Sequence, residues 1–129
     1  MSGQNGSVVH VVDDDQAVRE SLEALLFVLG FEVTSYVSAE DFLARGAEDG
    51  GCLVLDVNMP GMSGLELLER LASTGRRRPA VILTARRDDG LHEIAASHGA
   101  SAVLGKPVRK DELLAAISAA ELNMWNGRA

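Results

Sequence analysis

Short apolar runs rich in β-branched residues alternate with longer segments of helical period along this chain. That alternation is the signature of βαβ units, which require a parallel sheet covered on both faces. The runs are about Val8–Asp13, Glu32–Tyr36, Cys52–Asp56, Ala80–Thr84 and Ala102–Gly105. Four of them stop at polar residues: Asp13 with Asp14, Asp56, Thr84, and Lys106. In parallel strands these side chains gather at the carboxyl edge of the sheet, where open α/β sheets place their ligand sites.

Helix one is expected from near Gln16 to Leu29, with Val18, Leu22, Leu25, Leu26 and Leu29 on one face and Gly30 as its stop. Ser38 can cap a second helix bearing Phe42 and Leu43. Ser63 and Glu66 have capping-box spacing at the start of a third, which Gly75 ends. Helix four, about Asp88–His98, has the thinnest apolar face, and helix five runs from about Lys110 to Leu122. The expected fold is α/β: a single doubly wound (βα)5 domain with a parallel sheet in the order 2-1-3-4-5, as in flavodoxin-like folds. Residues 1–7 read as a flexible N-terminus, 8–122 as the domain, and 123–129 as a frayed tail that leaves the packing of Trp125 open.

A chain of 129 residues is the size of one domain. Its net charge of −7 and pI near 4.8 oppose direct nucleic-acid binding by this domain. Cys52 is the sole cysteine, so no internal disulfide forms, and its apolar neighbours predict a buried, inert thiol. No apolar stretch reaches the roughly 18 residues of a membrane-spanning helix. The polar start Met1–Gly6 has no signal-peptide core, so a cytoplasmic location and no membrane partner are expected.

At the carboxyl edge, Asp13, Asp14 and Asp56 come within a few ångströms of one another. Like charges so close raise at least one pKa, and a hard divalent cation relieves the repulsion. Mg²⁺ prefers oxygen ligands and suits such a site; Mn²⁺ can substitute. Asp14 and Asp56 are the expected direct ligands, with Asp13 acting through a water and the backbone carbonyl of Asn58 completing the set. Asp15 instead reads as a helix cap. A carboxylate beside Mg²⁺ can attack a phosphoryl group and become an aspartyl phosphate, the role expected of Asp56. Lys106 is placed to neutralise charge on the transferring group. Thr84 can donate its hydroxyl to a phosphoryl oxygen, and the small Ala85 leaves room for the incoming group.

Four fragments now stand in order: Val11-Val12-Asp13-Asp14-Asp15, Leu55-Asp56-Val57-Asn58-Met59-Pro60-Gly61-Met62-Ser63-Gly64, Leu83-Thr84-Ala85 and Lys106-Pro107. Together they resemble the response-regulator receiver domain, the CheY-like module of two-component signalling, over about Val8 to Leu122. Ser38-Ala39-Glu40-Asp41-Phe42-Leu43 further resembles FixJ-type receivers, which usually precede a DNA-binding output domain. The resemblance implies that Asp56 is the phosphoacceptor, Asp13 and Asp14 the acidic pair, and Thr84 and Lys106 the switch hydroxyl and lysine. It implies a histidine kinase or histidine phosphotransfer protein as donor, and a cis Lys106–Pro107 bond. The face of helix four, strand five and helix five is the implied output surface, toward an output domain or a protein partner. Dimers through that face occur in the family, so a homodimer formed on phosphorylation is an open option. Such a protein is no ordinary enzyme: it catalyses only its own phosphorylation and dephosphorylation.

The chain departs from the family pattern at Val103, where Tyr or Phe is usual, and at Val108, where Phe is usual. Val103 reads as a core strand residue, which leaves helix four and its preceding loop to transmit the signal. Arg86 borders the path of attacking water and could contact the phosphoryl group or obstruct hydrolysis; a solvated arginine beside Arg87 is an equal alternative. Arg76-Arg77-Arg78 reads as a solvated basic loop, His10 as structural, and His92 and His98 as having no metal-ligand companions. Three rival functions remain. A haloacid-dehalogenase-type phosphohydrolase would place its nucleophile after the first strand, in Asp-x-Asp. A flavodoxin-like cofactor binder needs a phosphate-cradling loop where Asp13-Asp14-Asp15 stands. A phosphorylation-independent docking or dimerisation receiver is opposed by intact Asp56, Thr84 and Lys106.

Overall fold

The computed structural model describes residues 7–47, 49–85 and 90–127, with residues 123–127 as backbone only. The elements are β1 (Val8–Val12), α1 (Gln16–Val28), β2 (Glu32–Tyr36), α2 (Ala39–Arg45), β3 (Cys52–Asp56), α3 (Gly64–Ser73), β4 (Ala80–Thr84), α4 (Leu91–Ser97), β5 (Ala102–Gly105) and α5 (Lys110–Gly127). The strands pair in parallel in the order β2-β1-β3-β4-β5, as expected.

β3 and β4 are buried along their whole length, while the edge strands β2 and β5 are only partly covered. Side chains alternate between the two faces, as the period of a strand requires. Val9, Val11, Cys52, Val54, Val81 and Leu83 pack under Leu22 and Leu26 of α1 and Leu113 and Ile117 of α5. Val12, Leu53, Leu55, Ile82 and Val103 pack on the other side against Phe42 of α2, Leu67 and Leu71 of α3, and Ala95 of α4. A fully buried Leu or Ile such as Leu55, Leu67 or Ile82 contributes about 1.5–3 kcal/mol.

Local signals set the helix ends. The Asp15 carboxylate accepts from the Ala17 and Val18 N–H groups at the start of α1. Ser38 Oγ accepts from the Asp41 N–H, and Ser63 and Glu66 form a complete capping box. Gly30 takes a φ of 95°, which ends α1 in a conformation that favours glycine. α5 continues to Gly127 rather than ending near Leu122, because no glycine or proline interrupts the chain before Gly127. The Trp125 side chain lies outside the described residues, as do residues 86–89, which include the expected start of helix four. α4 runs from Leu91 and has no side-chain cap at Gly90.

His10 is structural, and its surroundings fix its tautomer. It is 1% exposed, with Nε2 2.9 Å from the Gly50 carbonyl and Nδ1 2.9 Å from the Tyr36 hydroxyl. A carbonyl only accepts, so Nε2 carries the proton and Nδ1 accepts from Tyr36. Burial lowers the His10 pKa below its ordinary 6.5; the Gly50 bond opposes this, Arg78 reinforces it and Asp49 opposes it. Below pH 6.5 the unfolded chain therefore takes up a proton that the folded chain resists. This contribution to stability is complete above pH 6.5 and falls as the pH drops through that value toward the folded pKa. His10→Gln keeps one donor and one acceptor but cannot titrate. Chemical denaturation across this range is expected to show a smaller loss of stability on acidification in His10→Gln than in the wild type.

Candidate functional site

Strand register brings the polar strand ends to one level. Val12 pairs with Leu55, Asp56 with Leu83, and Thr84 with Gly105, so each next residue emerges at the same edge. Asp13, Asp14 and Asp56 offer carboxylate oxygens that all lie within 4.8 Å of one another. Asp13 and Asp56 are buried and Asp14 is exposed, giving a shallow acidic cleft with one solvent-facing carboxylate. Thr84 is buried at the end of β4, and Ala85 beside it is exposed. The Lys106–Pro107 peptide is cis.

Lys106 is held inside this cluster. Its Nζ donates to Asp13 Oδ2 at 2.9 Å and lies 3.4 Å from Asp56 Oδ1. Burial alone would lower its pKa, but Asp13 and Asp56 more than offset that and hold the ammonium above its ordinary value. Burial raises the pKa of Asp56; Lys106 pulls it down and Asp13 pushes it up, and the outcome is a carboxyl above its ordinary range. The Asn58 N–H also points to Asp56 Oδ1, at 3.4 Å.

Several supporting contacts were not legible beforehand. Asp13 Oδ1 accepts from the Asp15 N–H at 2.9 Å, and Arg19 Nη1 donates to the Asp13 carbonyl at 2.8 Å. The Asp13 N–H donates to the Tyr36 carbonyl, tying the first loop to β2. Gly64 sits so close to the Asp56 carbonyl that a Cβ there would collide with it. An apolar groove of about 350 Å³ opens beside Lys106 and is lined by Ala17, Val18, Leu22, Leu83, Pro107 and Val108 among others. Val18 and Leu22 belong to the apolar face expected of α1, and no local period marks a groove between a helix and a distant loop.

Arg86 lies outside the described residues. Val103 is 5% exposed and packed in the core. Cys52 is fully buried, and burial pushes its thiol well above the ordinary range. Arg78 is not simply solvated: its Nη2 donates to the Ala47 carbonyl at 2.7 Å and its guanidinium lies over the Phe42 ring. His98 bonds the Ile94 carbonyl through Nδ1 and lies 3.8 Å from Glu69. No helix among the described residues is long and apolar enough to cross a membrane.

The chemistry of the cluster fits a hard divalent cation. All the donors are carboxylate oxygens, three converge, and one faces solvent. Repulsion among the acids suggests that removing Asp13 relieves strain in the metal-free protein. The two bonds that Asp13 accepts reverse that sign, because its loss leaves the partly buried Lys106 with only the longer contact to Asp56. Asp13→Ala is expected to destabilise the metal-free protein by about 2 kcal/mol in denaturant unfolding with a chelator present.

The sequence pattern of the family described as "Response regulator receiver domain" matches residues 9–118. The transcriptional regulatory protein FixJ of Azorhizobium caulinodans is 46% identical over 112 residues, covering 86% of this chain and 53% of that protein. The transcriptional regulatory protein TdiR of Thauera aromatica is 41% identical over 117 residues, covering 90% and 52%. The chain thus spans about half the length of these curated relatives. Among solved structures, FixJ-N matches with a TM-score of 0.83 at 36% identity, covering 92% of this chain and 95% of that one. The response regulator StyR matches with a TM-score of 0.83 at 43% identity, covering 95% and 63%.

Proposed function

The chain belongs to the response regulator receiver family, of FixJ type, and from that premise we propose that Asp56 accepts a phosphoryl group from a phosphohistidine. The observation that carries this reading is the convergence of Asp13, Asp14, Asp56 and Lys106 from three separate strand ends. In the transfer, an Asp56 carboxylate oxygen attacks phosphorus, the nitrogen–phosphorus bond breaks, and its electrons leave with the imidazole. Asp14, Asp56 and the Asn58 carbonyl would hold Mg²⁺, with Asp13 acting through a water. When bound, the cation offsets charge on the carboxylates and on the phosphoryl oxygens. Lys106 already lies within reach of Asp56 and can follow the transferred group. Thr84 supplies a hydroxyl at the same edge, and Ala85 leaves the approach open.

The donor is a histidine kinase or a histidine phosphotransfer protein in the cytoplasm. The apolar groove beside Lys106 suits the apolar side of a helix that carries the phosphohistidine. The added charge draws Lys106 and Thr84 toward Asp56 and shifts a two-state equilibrium of the loop between β4 and α4. The output surface is the face of α4, β5 and α5. There Ile94 and Leu122 are exposed, in keeping with an output domain, a protein partner or a second phosphorylated copy. Val103 offers no ring to rotate, so the loop and α4 carry the change.

Acetyl phosphate with Mg²⁺, read by intact mass, tests the phosphoacceptor. The wild type is expected to gain one phosphoryl group and Asp56→Asn none; a gain in both overturns the assignment. A wild type that gains nothing from either acetyl phosphate or a phosphohistidine donor would favour the phosphorylation-independent docking role. Mg²⁺ is also expected to raise the melting temperature of the wild type, because only the folded chain assembles the cluster. Asp14→Ala is expected to lose most of that rise in a thermal scan.

A further inference from the structure

Glu40 stands in the first turn of α2, outside the acidic cluster. Its Oε2 accepts from the Met62 N–H at 3.1 Å, bridging α2 to the loop between β3 and α3. That loop carries Asn58. Gly61 has a φ of 76°, and a Cβ there would stand 2.9 Å from the same Glu40 oxygen, so a glycine gives the carboxylate room to approach the loop.

Both ends of the bridge are firmly built. On the α2 side, Ser38 Oγ accepts from the Asp41 N–H and Asp41 Oδ2 accepts from the Val37 N–H. Arg45 clasps Asp41 with Nε at 2.7 Å and Nη2 at 2.9 Å, and Phe42 is buried in the core. On the loop side, the Gly64 N–H donates to the Val57 carbonyl, Met59 is largely buried, and the Ser63–Glu66 capping box fixes the exit into α3. Glu40 reaches the loop between these fixed ends.

We propose that Glu40 is a positioning residue for the metal site: its bond to Met62 holds the β3–α3 loop in the conformation that presents the Asn58 carbonyl. The proposal rests on the reading that Asp14, Asp56 and Asn58 bind a divalent cation. A loop already held in place costs less conformational entropy when it becomes a ligand, so the tether raises cation affinity without touching the ion.

The test compares wild type, Glu40→Gln and Glu40→Ala. Glutamine keeps an oxygen that can accept the Met62 bond and removes the charge; alanine removes both. Met62 amide hydrogen exchange is measured in the metal-free proteins, and Mg²⁺ affinity by titration calorimetry. Glu40→Ala is expected to exchange faster at Met62 and to bind Mg²⁺ about fivefold more weakly, the equivalent of one hydrogen bond of about 1 kcal/mol. Glu40→Gln is expected to stay close to wild type in both. The acetyl phosphate rate at saturating Mg²⁺ is expected to change little in either variant. Unchanged affinity in Glu40→Ala overturns the proposal, and so does an equal loss in both variants, which would assign the effect to charge. If the wild type itself binds no Mg²⁺, the metal reading falls, and the exchange contrast at Met62 alone decides whether Glu40 holds the loop.

Discussion

A lysine shared between two buried carboxylates is the interaction on which the rest of the site depends. Asp13 and Asp56 are both withdrawn from water, and two such charges side by side oppose folding unless something answers them. Lys106 answers them in the metal-free protein, closely at Asp13 and more loosely at Asp56. The unequal distances matter. The ammonium lies closest to the first-strand acid, while burial, with Asp13 beside it, holds the Asp56 carboxyl above its ordinary range despite Lys106. The same cluster of converging carboxylates has the chemistry that suits a hard divalent cation.

The same arrangement gives Lys106 two alternative partners. Its two carboxylate partners compete for one ammonium. Any change that increases negative charge at Asp56 shifts that competition away from Asp13. Because Lys106 begins the turn after β5, and its own N–H donates to the Thr84 carbonyl at 2.8 Å, a change of partner is felt by both β4 and β5. Position 103, where the family usually carries an aromatic ring, holds a buried valine that is part of the packed face.

Much of this was legible in the sequence, for a definite physical reason. Strand ends, caps and stops are local: Val8–Val12 ending at Asp13, Ser63 three residues before Glu66, and Gly30 after Leu29 each announce themselves within a few residues. Parallel pairing then aligns the strand ends, so the chemistry of the edge follows from the order of the strands. What escaped was the choice of partner across long separations. Whether Lys106 faces Asp13 or Asp56 depends on side-chain reach over 93 positions of sequence, and nothing periodic encodes it. The same holds for His10 with Tyr36, Arg78 with Ala47, and Glu40 with Met62. The extra turns of α5 escaped for the opposite reason: the residues after Leu122 carry no stop, and lack of a signal was read as lack of structure.

The edge strand β2 contributes no acid, base or hydroxyl to the cleft, yet both loops that shape it are tied to this strand or to the helix that follows. The Tyr36 carbonyl accepts from the Asp13 N–H, which sets the level at which the first acidic residue leaves β1. Four residues after Tyr36, Glu40 accepts from Met62 and secures the loop that leaves β3. Tyr36 is in turn fixed from below by its hydroxyl bond to His10 and its edge contact with Phe42. The outer strand and the helix after it therefore position two central loops. At the first loop the support is a neutral backbone contact with a buried strand end, which does not itself change charge; at the second it is the Glu40 carboxylate.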